Sequence, residues 1–274
     1  MTILLKNKLI DLSTPKVMGI LNLTPDSFYD GGALKSDRHV LELAEKHITE
    51  GAFVLDLGGY SSRPDATHIN EEEELHRVIP VVELLSKNFP ETPLSIDTFR
   101  AKIADESLYA GAAMINDISG SQVEPEILDC VAKHRVPYIA MHMKGTPQTM
   151  KSLCQYDDLI VELRQYFAKL IETCTKKHIS DVIIDPGFGF AKNSEQNFTL
   201  LRELAEFKLL EVPILVGISR KSMIYKTLEI DAKDAINGTT ALHMIALQNG
   251  ASILRVHDVK EAMQCITLFQ NLYI

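Results

Sequence analysis

Val17-Met18-Gly19-Ile20-Leu21-Asn22 is a short apolar run closed by a polar residue, and runs of this kind occur eight times along the chain. They fall at 17–21, 53–57, 94–96, 112–115, 136–141, 182–184, 214–216 and 252–256. Near-continuous apolar runs of this length suit strands buried on both faces, as in parallel sheets. Helical patterns lie between them. Leu159, Leu163, Phe167, Leu170 and Cys174 recur at three- and four-residue steps, as do Leu75, Val78, Val82 and Leu85. Pro80 inside the second pattern predicts a kink there or a helix that starts late in the segment. Eight strands alternating with helices predict an α/β fold, a (β/α)8 TIM barrel occupying residues 1–274 as a single domain. Residues 3–12, with Lys6-Asn7-Lys8 at their middle, read as a short N-terminal β-hairpin closing the barrel's bottom. A doubly wound open sheet is the alternative, because periodicity does not report sheet closure.

The chain has 274 residues, with 28 Lys and Arg against 37 Asp and Glu, a formal net charge of −9. An acidic chain without a Lys/Arg run disfavours nucleic acid as the main partner. No stretch approaches the roughly 18 uninterrupted apolar residues of a membrane span. Residues 1–15 lack the pattern of a signal peptide. Cys130, Cys154, Cys174 and Cys265 are far apart with no C-x-x-C pair. The expectation is reduced thiols in a cytoplasmic protein rather than a zinc site.

Each predicted strand runs into polar or glycine residues. They are Asn22, Gly58-Gly59, Asp97, Asn116-Asp117, His142, Asp185, Gly217 to Lys221, and Arg255 to His257. In a barrel these positions converge on the face that carries the active site. Capping and turn chemistry explain any one of them; eight in succession predict a polar, ligand-sized pocket.

The chemistry of that pocket divides in two. Asp97, Asn116 and Asp185 offer acceptors for a flat heterocycle rich in N–H groups, and Lys221 adds a donor for a ring carbonyl or nitrogen. Core carboxylates paired with Lys or Arg are the structural alternative. The other half suits an anion. Arg255 and His257 alternate along one strand and so point to one side, and Arg63 follows the second strand. Ser219-Arg220-Lys221-Ser222 opens a predicted helix, where backbone N–H groups favour phosphate. A serine-capped helix with solvated basic residues is the plainer reading of that stretch. Gly187-Phe188-Gly189-Phe190-Ala191-Lys192 lacks the spacing of a dinucleotide loop or P-loop and reads as a flexible connection.

Longer blocks carry a family resemblance. Met18-Gly19-Ile20-Leu21-Asn22-Leu23-Thr24-Pro25-Asp26-Ser27-Phe28-Tyr29-Asp30-Gly31-Gly32 resembles the opening signature of bacterial dihydropteroate synthases. Asp56-Leu57-Gly58-Gly59-Tyr60-Ser61-Ser62-Arg63-Pro64 resembles their second, and similar blocks continue through Asp185-Pro186-Gly187-Phe188-Gly189-Phe190 to Arg255-Val256-His257-Asp258. The resemblance implies an enzyme, a transferase of folate biosynthesis. It would join a dihydropterin pyrophosphate to p-aminobenzoate, releasing pyrophosphate, with Mg2+ as cofactor, a homodimeric state and inhibition by sulfonamides.

It also implies roles. Asp97, Asn116, Asp185 and Lys221 would hold the pterin. Asn22, Arg63, Arg255 and His257 would hold the pyrophosphate, with Asn22 also contacting the metal. Phe28, Ser62, Pro64 and Ser222 would form the p-aminobenzoate pocket. Asp30, Lys221, Arg255 and His257 would serve the chemistry, Asp30 by steering the amine or taking its proton. Three positions depart from the commoner pattern: Tyr60 stands for Glu, Ser62 for Thr and Asp65 for Gly. A pterin-binding methyltransferase is the competing enzyme class, without need of the Arg63, Arg255 and His257 set. A non-catalytic pterin-binding relative is the other alternative.

Overall fold

The computed structural model describes residues 1–23, 33–61 and 69–273, with backbone alone for 33–36. Two antiparallel strands come first, β1 (Thr2–Leu5) and β2 (Lys8–Asp11). Lys6 and Asn7 turn between them at φ 49° and 60°, the left-handed pair that a two-residue hairpin loop requires.

Eight parallel strands follow: β3 (Lys16–Asn22), β4 (Val54–Gly58), β5 (Leu94–Asp97), β6 (Met114–Asp117), β7 (Tyr138–Met141), β8 (Val182–Asp185), β9 (Leu215–Val216) and β10 (Ile253–Val256). Their order is β8-β7-β6-β5-β4-β3-β10-β9, and a parallel bridge between Ile184 and Ile214 brings the two edges together. The sheet is therefore a nearly closed barrel, not the open alternative.

The two-residue period of a strand sorts its side chains. Val17, Leu21, Leu55, Leu57, Leu94, Ile96, Ile115, Val182, Ile184, Leu254 and Val256 face outward into the main core beneath the helices. Met18, Val54, Met114, Ile139, Ile183, Leu215 and Ile253 face inward and pack with Ile3, Leu5 and Leu12 of the hairpin. The hairpin thus plugs the bottom, as its sequence predicts. Two residues further along the same inward positions come Asp56, Asn116, Asp185, Gly217 and Arg255, with Asp97 inward on β5. An apolar lower layer and a polar upper layer follow from period two alone.

Two helices illustrate the outer ring. The Leu159–Lys176 helix buries Leu159, Leu163, Phe167, Leu170 and Cys174, the stripe read from the sequence, and Asp158 caps it by accepting from Ile160 and Val161 N–H at 3.1 Å. The Glu71–Asn88 helix begins at its Asn70 cap and runs through Pro80, so the late start is not found. The missing N–H at Pro80 costs up to about 3 kcal/mol; burial of Val78, Val82 and Leu85 offsets it. Among the described residues no helix is long and apolar enough to cross a membrane.

Candidate active site

The polar layer meets in the middle of the barrel. Arg255 Nε donates to Asp56 Oδ2 at 2.6 Å and its Nη2 to Asp97 Oδ2 at 2.7 Å. Asn116 Nδ2 donates to the same Asp56 oxygen at 3.0 Å. Asp185 is buried and fixed by the Gly187 N–H at 2.8 Å. Lys221 Nζ donates to the Phe188 carbonyl and lies 4.8 Å from the centre of the Phe190 ring. Gly217 keeps this space open. A Cβ there would stand 3.9 Å from Asp185 Oδ2, Lys221 Nζ and Arg255 Cβ alike.

Burial and mutual repulsion tune these groups. Burial raises Asp97 to about 7 against the pull of Arg255, with Asp56 adding to the rise. Burial also raises Asp185, opposed by Lys221. Lys221 is lowered to about 8, mainly by burial, which outweighs the attraction of Asp185. Burial opposes the charge on Arg255, but Asp56 and Asp97 outweigh it and hold the guanidinium firmly protonated.

Asn22 and His257 stand exposed at the mouth, at or just past the ends of β3 and β10. The His257 ring Nδ1 lies 3.2 Å from Ser219 Oγ, and its backbone N–H donates to that oxygen at 3.3 Å. Although the ring reaches solvent, partial desolvation and the Arg255 charge bring His257 down to about 4. Ser222 opens a single helical turn, Ser222–Tyr225, half-buried at the same end.

The structure thus gathers Asp97, Asn116, Asp185, Lys221 and Arg255 around one space. Phe28, Asp30, Ser62, Arg63, Pro64 and Asp65 lie outside the described residues. Not every polar strand end joins the site. Asp117 faces outward and accepts from the Tyr138 hydroxyl, Ser119 N–H and Oγ, and Ser121 N–H, each at 2.7 Å. His142 is buried with Lys192 Nζ 3.1 Å from its Nδ1, and burial together with the Lys192 charge pushes it down to about 2. Arg220 turns away to grip Asp258 through Nε and Nη2 at 2.7 and 2.8 Å. The turn that follows is capped by Lys221, with no serine side chain closing it.

One expectation needs correction. The loop after β8 is pinned rather than flexible. Lys192 Nζ donates to the Gly187 and Phe190 carbonyls at 3.1 and 3.0 Å, and Asn197 Oδ1 accepts from Gly189 N–H at 2.7 Å. Elsewhere, the Cys130 sulfur and the ligand atoms of Asp105 and His134 lie within 4.8 Å of one another. Lys133 already holds both Asp105 oxygens, at 2.9 and 3.1 Å, which supplies that carboxylate with a cation.

Comparison with known proteins bears on this pocket directly. A family model described as pterin binding enzyme matches residues 18–257. The dihydropteroate synthase of Synechocystis sp. is 48% identical over 251 residues, covering 90% of this chain and 86% of that one. The Escherichia coli K12 dihydropteroate synthase is 44% identical over 263 residues, 95% and 93% of the two chains.

The chain belongs to the dihydropteroate synthase family.

It is accordingly a transferase of folate biosynthesis. The Yersinia pestis dihydropteroate synthase, solved with a sulfonamide drug, superposes with a TM-score of 0.92 at 42% identity over 99% of each chain. Sequence reasoning missed one part of the synthase pocket, Asp56, which accepts from both Asn116 and Arg255 and keeps Oδ1 buried without a partner among the described residues. Its signal was present as a carboxylate placed at the inward position of an apolar run.

Proposed function

We propose that the protein joins a dihydropterin pyrophosphate to p-aminobenzoate, giving dihydropteroate and pyrophosphate. The polar layer carries this reading. Asp56, Asp97 and Asp185 face Arg255 and Lys221, and the buried Asp56 Oδ1 has no partner among the described residues, which leaves acceptor capacity in the pocket. A heterocycle whose edge presents N–H groups supplies the missing donors. Asp97, Asn116 and Asp185 bind that edge, and Lys221 donates to a ring carbonyl or nitrogen.

The pyrophosphate then lies at the mouth, against Asn22, Arg63, His257 and the remaining face of Arg255. As the methylene C–O bond breaks, its electron pair leaves with pyrophosphate and positive charge develops beside the pterin ring. Asp97 and Asp185 stabilise that charge, while Arg63 and Arg255 stabilise the departing anion. The arylamine nitrogen forms the new C–N bond, and the proton it loses passes to solvent or to Asp30. Phe28, Ser62, Pro64 and Ser222 hold p-aminobenzoate and keep water from the same carbon.

Mg2+ takes oxygen ligands and keeps several waters, so one neutral oxygen does not hold it alone. Asn22, exposed at the end of β3, fits as one ligand to a Mg2+ held mainly by pyrophosphate oxygens and water. When bound, the metal would neutralise leaving-group charge. Exposed Ile245, Leu268, Leu272 and Tyr273, on the two packed C-terminal helices, suit a homodimer contact. Four free cysteines suit the cytoplasm.

The test is product formation. Purified protein with both substrates and Mg2+ should yield dihydropteroate and pyrophosphate in equal amounts, with loss of both on chelation. Pterin binding without product would overturn the reading.

A further inference from the structure

The turn after β8 lies between the strand that carries Asp185 and the side chain of Lys221. Gly187 opens it with its N–H on Asp185 Oδ1, and the Phe190 N–H closes it on the Gly187 carbonyl at 3.1 Å. Gly189, third of the four residues, has φ 81°, the positive value that a type II turn requires there. Type I and type II turns differ chiefly in the direction of the middle peptide, here Phe188–Gly189. That peptide is held from both sides. Its N–H donates to Asn197 Oδ1 at 2.7 Å, and its carbonyl accepts from Lys221 Nζ. Asn197, buried at 3% exposure, spends its Nδ2 on the Asn193 and Lys192 carbonyls at 2.7 and 3.2 Å. The ends of the turn are tied by Lys192, itself 7% exposed. Its three N–H groups meet three acceptors: the Gly187 carbonyl at 3.1 Å, the Phe190 carbonyl at 3.0 Å and His142 Nδ1 at 3.1 Å.

We propose that Asn197 and Lys192 are positioning residues for Lys221, acting through the Phe188–Gly189 peptide. This rests on the reading of Lys221 as a donor to the pterin ring. A lysine ammonium has three donors on a flexible four-carbon stem, so aiming it at a ligand requires a fixed second partner. The Phe188 carbonyl is that partner, and it leaves the other N–H groups of Lys221 free to face the pocket. Rotating the middle peptide would withdraw this carbonyl and turn an N–H dipole toward the ammonium. Asn197 opposes the rotation, because its Nδ2 is already committed and only its oxygen faces Gly189. Lys192 holds the same turn at different points, through the carbonyls of its first and last residues. The last of these carries the Phe190 ring, 4.8 Å from Lys221 Nζ, an attractive distance between a cation and an aromatic face. A side chain at position 189 would crowd the lysine stem, since a Cβ there would stand 3.3 Å from Lys221 Cδ. The glycine and phenylalanine residues of this segment thus form a seat for one ammonium.

Lys192→Met and Asn197→Leu test this, each alone and combined with Lys221→Met, by calorimetry with a bare pterin and by the thermal midpoint. Each single variant should weaken pterin binding at least fivefold. In the Lys221→Met background the same substitutions should cost less than twofold, because the side chain they place is gone. A loss that persists undiminished in that background would overturn the proposal, by showing damage that does not pass through Lys221. Unchanged pterin affinity in either folded single variant would overturn it too. Where one variant fails to fold the other carries the test, and Asn197→Ser, which draws the acceptor away from Gly189, stands behind both. If Lys221→Met itself leaves pterin affinity unchanged, the pterin role of Lys221 falls and this proposal falls with it. A wild-type chain that binds the pterin but forms no dihydropteroate would overturn the synthase reading alone, since the double-mutant cycle reads binding.

Discussion

Arg255 Nε donates to Asp56 Oδ2 at 2.6 Å, tying the last barrel strand to the second from inside the barrel. The same guanidinium reaches Asp97 on the third barrel strand at 2.7 Å. A residue expected at the mouth, on the anion side, is thus also part of the barrel's frame. The Asp56 side chain has no exposed surface and that of Asp97 has 14%, so water does little to replace the guanidinium beside them.

Arg255→Met should therefore cost stability as well as activity. It leaves Asp56, with no exposed side-chain surface, without its cation, and breaking a buried pair from one side costs about 3–5 kcal/mol. A urea titration of the ligand-free protein should show the midpoint falling. An unchanged midpoint would place Arg255 outside the frame.

Asp185→Asn removes a charged acceptor while leaving an oxygen for the Gly187 N–H. Pterin affinity should fall by about 1.5–3 kcal/mol, the range for hydrogen bonds to charged groups. Calorimetry with a bare pterin measures this, and equal affinity would remove Asp185 from the pterin set.

The pH profile should be bell-shaped. Below about 7 Asp97 takes up a proton and loses the charge that favours the pterin cation. Above about 8 Lys221 loses its proton and with it a donor. kcat/KM for the pterin substrate should peak between these values and fall on both sides. A profile that is level through both would contradict the assignment.

His243 gives a separate effect on stability. It is buried, and neither ring nitrogen has a partner among the described residues. Burial lowers it from 6.5 to about 4. The unfolded chain binds a proton at this residue below about 6.5, whereas the folded chain does so only near 4. The stability it contributes is complete above the unfolded value and is lost as pH falls between the two, roughly 3 kcal/mol in all. His243→Leu should flatten that part of a stability–pH curve; an unaltered slope would exclude it.

These residues show how far sequence reading reaches here. Asp97, Asn116 and Asp185 were legible because period two and strand ends are local properties. The hairpin, the strands and the Leu159 to Cys174 stripe were legible for the same reason. Asp117 and His142 looked equivalent to the site residues, but their fate depends on Tyr138 and Lys192, partners that only the folded barrel supplies. The loop after β8 looked flexible because glycines set its composition. It is held by Lys192 and Asn197, whose reach back onto it is a tertiary event.

The central claim is a pocket of two halves, a pterin floor and an anion mouth. The most direct test titrates wild type, Asp185→Asn and His257→Ala by calorimetry with a pterin alone and with its pyrophosphate ester. Asp185→Asn should weaken both ligands alike, and His257→Ala should weaken only the ester. Loss of bare-pterin affinity in His257→Ala, with Asp185→Asn unaffected, would contradict the account.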